Sequence, residues 1–347
     1  MNLGLFVSPG DSLTKQKQSG QLDRLNKYYL SVYAKHFDRI HLFSYGDSGQ
    51  SFALPKNLTL IPKPGLIPNY LYQLILPFIH RKIISDINVF RVFQAPGGLP
   101  ALVSKIFFRK PYVVSDNYDY VRFAKVENRP FLATLLKLIL PPILNYADQV
   151  ITPQTIPNGV DPKIFKPDRK LHQPYLILSI GRLTLQKNFE KLIQPIGASR
   201  YKSKIKLVII GVGPRQKLLE KSAADLKIQL KIIPNIDHRR LVSWYQKAAV
   251  FSLTSQIEGQ PKVLLEAMSS ACACLTADFP GNLIKEGVTG MIGKNDSQLT
   301  AKLDQLLSDP GLSLRLGANA RQLVISRFDL NKLVLKEIQL LQLCAKA

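Results

Sequence analysis

Short apolar runs recur along this chain, and most are separated by segments whose apolar residues fall three and four positions apart. The first pattern marks buried strands and the second amphipathic helices. Residues 3–8 read as a first strand, running through Pro9-Gly10-Asp11 into a polar loop over 12–20. The next helix, 21–35, carries Leu22, Leu25, Tyr29 and Val32 at helical spacing. Further strands are expected at 39–45, 58–62, 89–94, 111–116 and 149–152. Helices are expected at 69–85, 99–108 and 130–146, the last interrupted at Pro141-Pro142.

The alternation resumes after residue 156. Strands read at 175–180, 206–211, 230–233, 250–255, 273–277 and 289–292. Helices read at 188–198, around Leu218, Leu219, Ala223 and Leu226 with these facing inward, at 238–248, and at 262–271 with Pro261 at the first position. Helices fill the chain from 297 on, the last over about 330–344. Strand and helix alternating at this pitch predict α/β domains with parallel, doubly wound sheets. A length of 347 residues suits two of them. The division expected is 1–155, 156–329 and a closing helix 330–347.

Charge changes the picture more than composition does. The net charge is +23, and it is spread: the first 170 residues hold 22 Lys/Arg against 11 Asp/Glu, the remainder 25 against 13. A uniformly basic surface favours anionic partners, whether a membrane leaflet, nucleic acid or phosphorylated substrates. The sequence holds no nucleic-acid-binding module, so no nucleic-acid partner is expected. Three cysteines, Cys272, Cys274 and Cys344, give neither a disulfide framework nor metal-site spacing, which fits a reducing compartment. The N-terminus lacks a basic stretch before its short apolar run, so it does not read as a signal peptide. Residues 71–79 and 132–144 are the most apolar stretches and fall short of the ~20 needed to cross a bilayer. A cytoplasmic chain touching the membrane face is the expectation.

Candidate chemistry concentrates after the 250–255 strand. Glu258 and Glu266 are separated by seven residues, with Gly259, Gln260, Pro261 and Lys262 beginning the interval. Glu258 falls in a strand-to-helix loop, where open α/β sheets place their ligands, and Glu266 lies about one turn into the helix. Gly259 permits close backbone approach, and the helix start offers free N–H groups to a phosphate. Upstream, Gly181-Arg182-Leu183 leads to Lys187-Asn188 around a second loop. An Arg able to make two contacts and a Lys adding a point charge suit a diphosphate whose charge grows as a bond to it breaks.

Ser255 with the nearby Glu-Gly-x-Pro-x-x-x-Leu-Glu-Ala resembles the E-x7-E signature of family 4 glycosyltransferases, retaining enzymes of the GT-B fold. The run Gly181 to Asn188 resembles that family's G-R-L-x-x-x-K-N/G motif, and Ile156-Pro157-Asn158-Gly159-Val160-Asp161 the segment that opens its second domain. The resemblance implies two Rossmann-like domains facing a cleft, the first on the acceptor side and the second binding the nucleotide sugar. It implies that Glu266 accepts hydrogen bonds from ribose hydroxyls and that Glu258 contacts the donor sugar. The backbone of Gly259 to Lys262 would line the phosphates, with Gly181 and Ser255 in the site and Asn235 bordering the base. Ser19-Gly20 resembles the paired glycines of the family's first loop. Gly211-Val212-Gly213-Pro214 resembles its G-x-G-P turn, whose glycines read as structural.

The sequence departs from the family twice. No His stands at 93–98 or 114–117, where many members carry one near the sugar, and Asp116 or Asn117 is the polar candidate to take over that contact. Only residues 152–155 separate the Ala147-to-Ile151 strand from Ile156, so the last helix of the first domain is expected to be lacking. The expected function is a metal-independent retaining transfer of a hexosyl-type sugar, with no cofactor, from a nucleotide diphosphate sugar to a glycan or lipid-linked precursor of a cell-surface polysaccharide. Arg182, Lys187, Glu258 and Asp116 would carry the chemistry. The alternative is a non-catalytic nucleotide-sugar-binding relative with a regulatory or scaffold role.

Overall fold

Two six-stranded parallel sheets form in the computed structural model, which describes residues 1–346. The first is built from β1 Asn2–Phe6, β2 Arg39–Ser44, β3 Leu58–Pro62, β4 Val89–Val92, β5 Tyr112–Ser115 and β6 Gln149–Ile151. The second is built from β7 Leu176–Ile180, β8 Lys206–Ile210, β9 Gln229–Ile233, β10 Val250–Leu253, β11 Ala273–Ala277 and β12 Met291–Gly293. Their orders, β3-β2-β1-β4-β5-β6 and β12-β11-β10-β7-β8-β9, are one topology read from opposite edges. In each sheet the order reverses between the first strand and the fourth, opening a crevice at the carboxyl ends of those two neighbours.

Burial explains why these runs are strands. All of β7 and β11 is buried, as expected of parallel strands covered on both faces. Alternate residues feed separate cores: Leu178 and Ile180 pack with Tyr245, Leu265 and Phe328, whereas Ile177 packs with Leu192, Ile196 and Leu316.

The chain clusters into two compact units. One comprises Met1–Lys125, Arg129–Pro157 and the chain from Asn331 on; the other comprises Val126–Asn128 and Asn158–Leu330. After β6 the chain makes a turn, with the Thr155 and Ile156 N–H groups donating to the Thr152 carbonyl at 3.1 Å each, and enters the second unit without an intervening helix.

Several elements differ from the pattern-based expectation. Residues 13–18 are helical, because Asp47 accepts from the N–H groups of Leu13 and Thr14 at 2.7 and 2.9 Å and so caps the helix start. The 21–35 segment contains a π-turn at Asn26–Leu30. Tyr28, Leu30 and Tyr33 are buried while Leu22, Leu25, Tyr29 and Val32 are half-buried, and the wider turn accounts for Tyr33 facing inward in place of Val32 beyond it. The 69–85 helix divides at His80 into Asn69–Ile79 and Arg81–Asp86. By contrast Pro130–Asn145 is unbroken through Pro141-Pro142. Lys137, Leu138 and Pro141 are exposed, so the carbonyls that lose a donor there face water. Leu218 is exposed rather than inward.

The helix Leu330–Cys344 carries a carboxylate into the interior of the first unit. Glu337 and Arg91 of β4 are 6% and 4% exposed, with Arg91 Nε donating to Glu337 Oε1 at 2.7 Å and Nη2 to Oε2 at 3.2 Å. Arg91 Nη2 also donates to Ser115 Oγ at 2.7 Å, and the Tyr33 hydroxyl donates to the same carboxylate. Burial pushes the Tyr33 hydroxyl well up, and the Glu337 charge adds to the effect.

Candidate functional site

The crevice of the second unit lies between β7 and β10, and both motifs leave from these strands. Beyond β10 the chain stays buried through Thr254 and Ser255, then loops to the helix Lys262–Ser269. The Glu258 carboxylate accepts from Lys187 Nζ at 2.5 Å and from Ser255 Oγ at 2.6 Å. This pair is largely dry, its side chains being 8% and 13% exposed for Glu258 and Lys187. Gly181 makes room for it: a Cβ there would lie 3.2 Å from Cδ and Cε of Lys187. Arg182 is exposed, its Nη2 3.3 Å from Gln186 Oε1. Gln186, buried, ties the two loops together by donating to the Ile257 carbonyl at 2.8 Å while its own carbonyl accepts from Gln256 N–H at 2.8 Å.

Glycines set the backbone beneath the site. At Gly211 a Cβ would fall 1.9 Å from the Gly181 carbonyl oxygen, and at Gly213 one would fall 2.5 Å from that of Leu183. Gly281, at φ +83°, presses on the other loop, where a Cβ would meet the Glu258 and Gly259 carbonyl oxygens at 2.4 Å each. Gly211→Ala therefore forces the 181–188 loop to move and should lower the melting temperature by several degrees. Differential scanning fluorimetry checks this, and a melting curve like that of the parent protein would refute the packing role.

Glu266 lies where the helix turns back towards the core. Its side chain is 5% exposed, with Oε1 2.7 Å from His238 Nε2 and Oε2 accepting from the Tyr245 hydroxyl at 2.8 Å. Burial, then the Glu266 charge, push that hydroxyl well up. Gln260 is fixed by Asn158, whose N–H donates to Gln260 Oε1 at 2.6 Å and whose Nδ2 donates to its carbonyl at 3.1 Å. Pro261 occupies the N-cap and not the first helical position, and the helix ends at Ser269 instead of 271. Asn235 is exposed in the loop after β9.

The remaining candidates belong to the first unit. Gly20, at φ +70°, is the left-handed residue that ends the helix Leu13–Gln18. Asp116 lies just after β5, half-buried, with its N–H donating to the Ile151 carbonyl at 2.8 Å. Burial raises its carboxyl pKa and the charge of Asp119 raises it further.

The structure thus brings together Gly181, Arg182, Lys187, Ser255 and Glu258, and seats Glu266 on the adjoining helix. Sequence reasoning missed His238, Tyr245, Gln186 and Gly281. Only Gly281 had a local signal, the turn dipeptide Pro280-Gly281. Among the described residues no group of three or more His, Cys, Asp or Glu is placed to hold a metal ion.

Residues 160–323 match the family model described as glycosyl transferases group 1. The amylovoran biosynthesis glycosyltransferase AmsD of Erwinia amylovora is 32% identical over 141 residues, spanning 39% of this chain and 39% of that protein. The Campylobacter jejuni GalNAc-alpha-(1->4)-GalNAc-alpha-(1->3)-diNAcBac-PP-undecaprenol alpha-1,4-N-acetyl-D-galactosaminyltransferase is 26% identical over 259 residues, spanning 69% of this chain and 70% of that one. Among solved structures, the HepE protein of Anabaena in complex with UDP and glucose superposes with a TM-score of 0.74 at 14% identity, over 99% of both chains. Sucrose-phosphate synthase from Thermosynechococcus elongatus gives 0.74 at 16% identity, over 100% of both. At such identities the likeness concerns the fold, which is GT-B.

Proposed function

We propose, on the premise that residues 160–323 belong to the glycosyl transferases group 1 family, that this chain transfers a sugar with retention from a nucleotide diphosphate sugar to a lipid-linked or glycan acceptor. The observation that carries the reading is the dry Lys187–Glu258 pair, held by Ser255 over Gly181 at the ends of β7 and β10. An ion pair so placed is a ready exchange site. A donor diphosphate takes the Lys187 ammonium, and the freed Glu258 carboxylate accepts from hydroxyls of the donor sugar. Arg182 and Lys187 then meet the charge that grows on the leaving diphosphate, work that calls for no metal. Backbone groups of Gly259, Gln260, Pro261 and Lys262 border the phosphates, and Asn235 the base.

Glu266 is the ribose acceptor in this reading. Each carboxylate oxygen has two lone-pair sites, so the bonds to His238 and Tyr245 orient the group and leave it capacity for the ribose hydroxyls. In the first unit, Asp116 is the candidate for a part in the chemistry and Gly20 for substrate contact. The lipid-linked acceptor and the part in cell-surface polysaccharide synthesis are supported by the names of the two relatives, one an amylovoran enzyme and one acting on an undecaprenol diphosphate glycan. A cytoplasmic chain meeting its acceptor at an anionic membrane face fits the net charge of +23.

The test separates the two carboxylates. Glu266→Ala should weaken donor and free nucleoside diphosphate alike, by about 1.5–3 kcal/mol for lost bonds to a charged group. Glu258→Ala should leave free-nucleotide affinity nearly unchanged and lower the single-turnover rate with the intact donor. The donor is first found by thermal shift against UDP-, GDP- and ADP-sugars. Equal loss of free-nucleotide affinity in both variants would remove the sugar-side role from Glu258. Donor binding without turnover in the unaltered protein would favour a non-catalytic binder.

A further inference from the structure

Helices Asn69–Ile79, Arg81–Asp86, Leu99–Phe108 and Pro130–Asn145 cover one face of the first sheet. Their inward sides pack Tyr72, Leu76, Ile84, Ala101 and Leu136 into that core. Their outward sides are not the polar surface expected of a helix layer facing water. Leu71, Leu74, Phe78, Ile106, Phe107 and Leu138 all stand exposed, from 45% at Leu74 to 69% at Leu138. Phe78 and Phe107 meet edge to face with ring centroids 5.2 Å apart, which joins the apolar residues of two helices into one patch. Soluble surfaces rarely carry so continuous an apolar area without a use.

The charges around the patch are one-sided. Arg81, Lys82, Arg109 and Lys137 are exposed on these helices or at their ends. The four helices contain one acidic residue, Asp86, and it is engaged by Asn2 Nδ2 at 2.8 Å and lies 3.8 Å from Arg39 Nη1. Apolar and aromatic side chains ringed by cations suit the boundary between acyl chains and anionic headgroups. Among the described residues no helix is long and apolar enough to cross a membrane, so such a face would lie on a bilayer and not span it.

We infer that the outward face of these four helices docks on an anionic bilayer surface, with Phe78 and Phe107 as its apolar anchors and Arg81, Lys82 and Arg109 as its headgroup contacts. The inference rests on the proposed lipid-linked acceptor for its purpose, and its test reads binding apart from transfer. The protein should sediment with vesicles of mixed phosphatidylglycerol and phosphatidylcholine but not with phosphatidylcholine alone. Salt at ~0.5 M should reduce the bound fraction, because the Debye length then falls well below 10 Å. The Phe78→Ser/Phe107→Ser and Arg81→Glu/Lys82→Glu/Arg109→Glu variants should each lower the partition coefficient at least about tenfold. Both should keep the parent protein's thermal shift with a nucleotide sugar, which shows that they remain folded. Parent-like sedimentation of either variant, or no sedimentation of the parent protein, would overturn the inference. So would a parent dimer in light scattering that both variants turn into monomers, since the face would then belong to a second copy. Vesicle binding in a protein that gives no nucleotide-sugar shift would instead count against the donor reading and leave this one standing.

Discussion

On the proposed function, Lys187→Ala should lower the rate of sugar transfer by about 10²–10³-fold, the effect of deleting one group aimed at charge that develops in the transition state. Arg182→Ala should fall in the same range. Lys187 is the more telling of the two, because its ammonium is already held in a dry place beside Glu258 and needs little reorganisation to meet a phosphate. Its removal also leaves the Glu258 carboxylate with only the Ser255 hydroxyl, so part of any loss could reflect an altered loop. The Lys187→Met/Glu258→Gln protein resolves this. It keeps side-chain volume, removes both charges together, and should melt near the parent temperature while remaining as slow as Lys187→Ala. Single-turnover kinetics with the donor found by thermal shift makes the measurement. A doubly substituted protein with parent-like turnover would show that the pair only shapes the loop.

The second large effect concerns stability. Glu337→Ala should destabilise the first unit by about 3–5 kcal/mol, because it strands the Arg91 guanidinium where it is 4% exposed. The Ser115 hydroxyl and the Val92 carbonyl, the partners that remain, cannot satisfy a guanidinium with five donors. Replacing both partners, as in Arg91→Met/Glu337→Leu, should recover most of the loss, since two apolar side chains need no pairing. Thermal melts give the size of the effect. Hydrogen exchange along the helix Leu330–Cys344 gives its location, and parent-like protection there in Glu337→Ala would contradict the account.

The parts of this molecule that could be read from the chain are those set by neighbours in sequence. Apolar runs marked the strands, and Gly181 to Asn188 and Ser255 to Glu266 fall where their pattern put them because each occupies a single loop and helix start. The features that escaped depended on distant residues or on local geometry that periodicity averages away. His238 stands 28 positions before Glu266, and nothing on its own helix marks it as that residue's partner. The π-turn at Asn26–Leu30 moved the buried stripe because one wide turn shifts the angular register of every later residue in the helix. Pro141-Pro142 suggested a break, but a helix tolerates proline where the abandoned carbonyls are wetted.

The Arg91–Glu337 pair also fixes an order of events at the ribosome. Its partners are 246 residues apart. At a synthesis rate of about 5–20 residues per second, the arginine is made roughly 12–50 s before its carboxylate exists. Through that interval β4 holds a cation that cannot enter a closed core. The second unit, by contrast, has nearly its whole sequence in one stretch, 158–330, and can close as soon as that stretch is out. The half of the protein made first is therefore the half completed last: all six strands of its sheet precede residue 152, but the helix that carries the Arg91 partner comes only after the second unit.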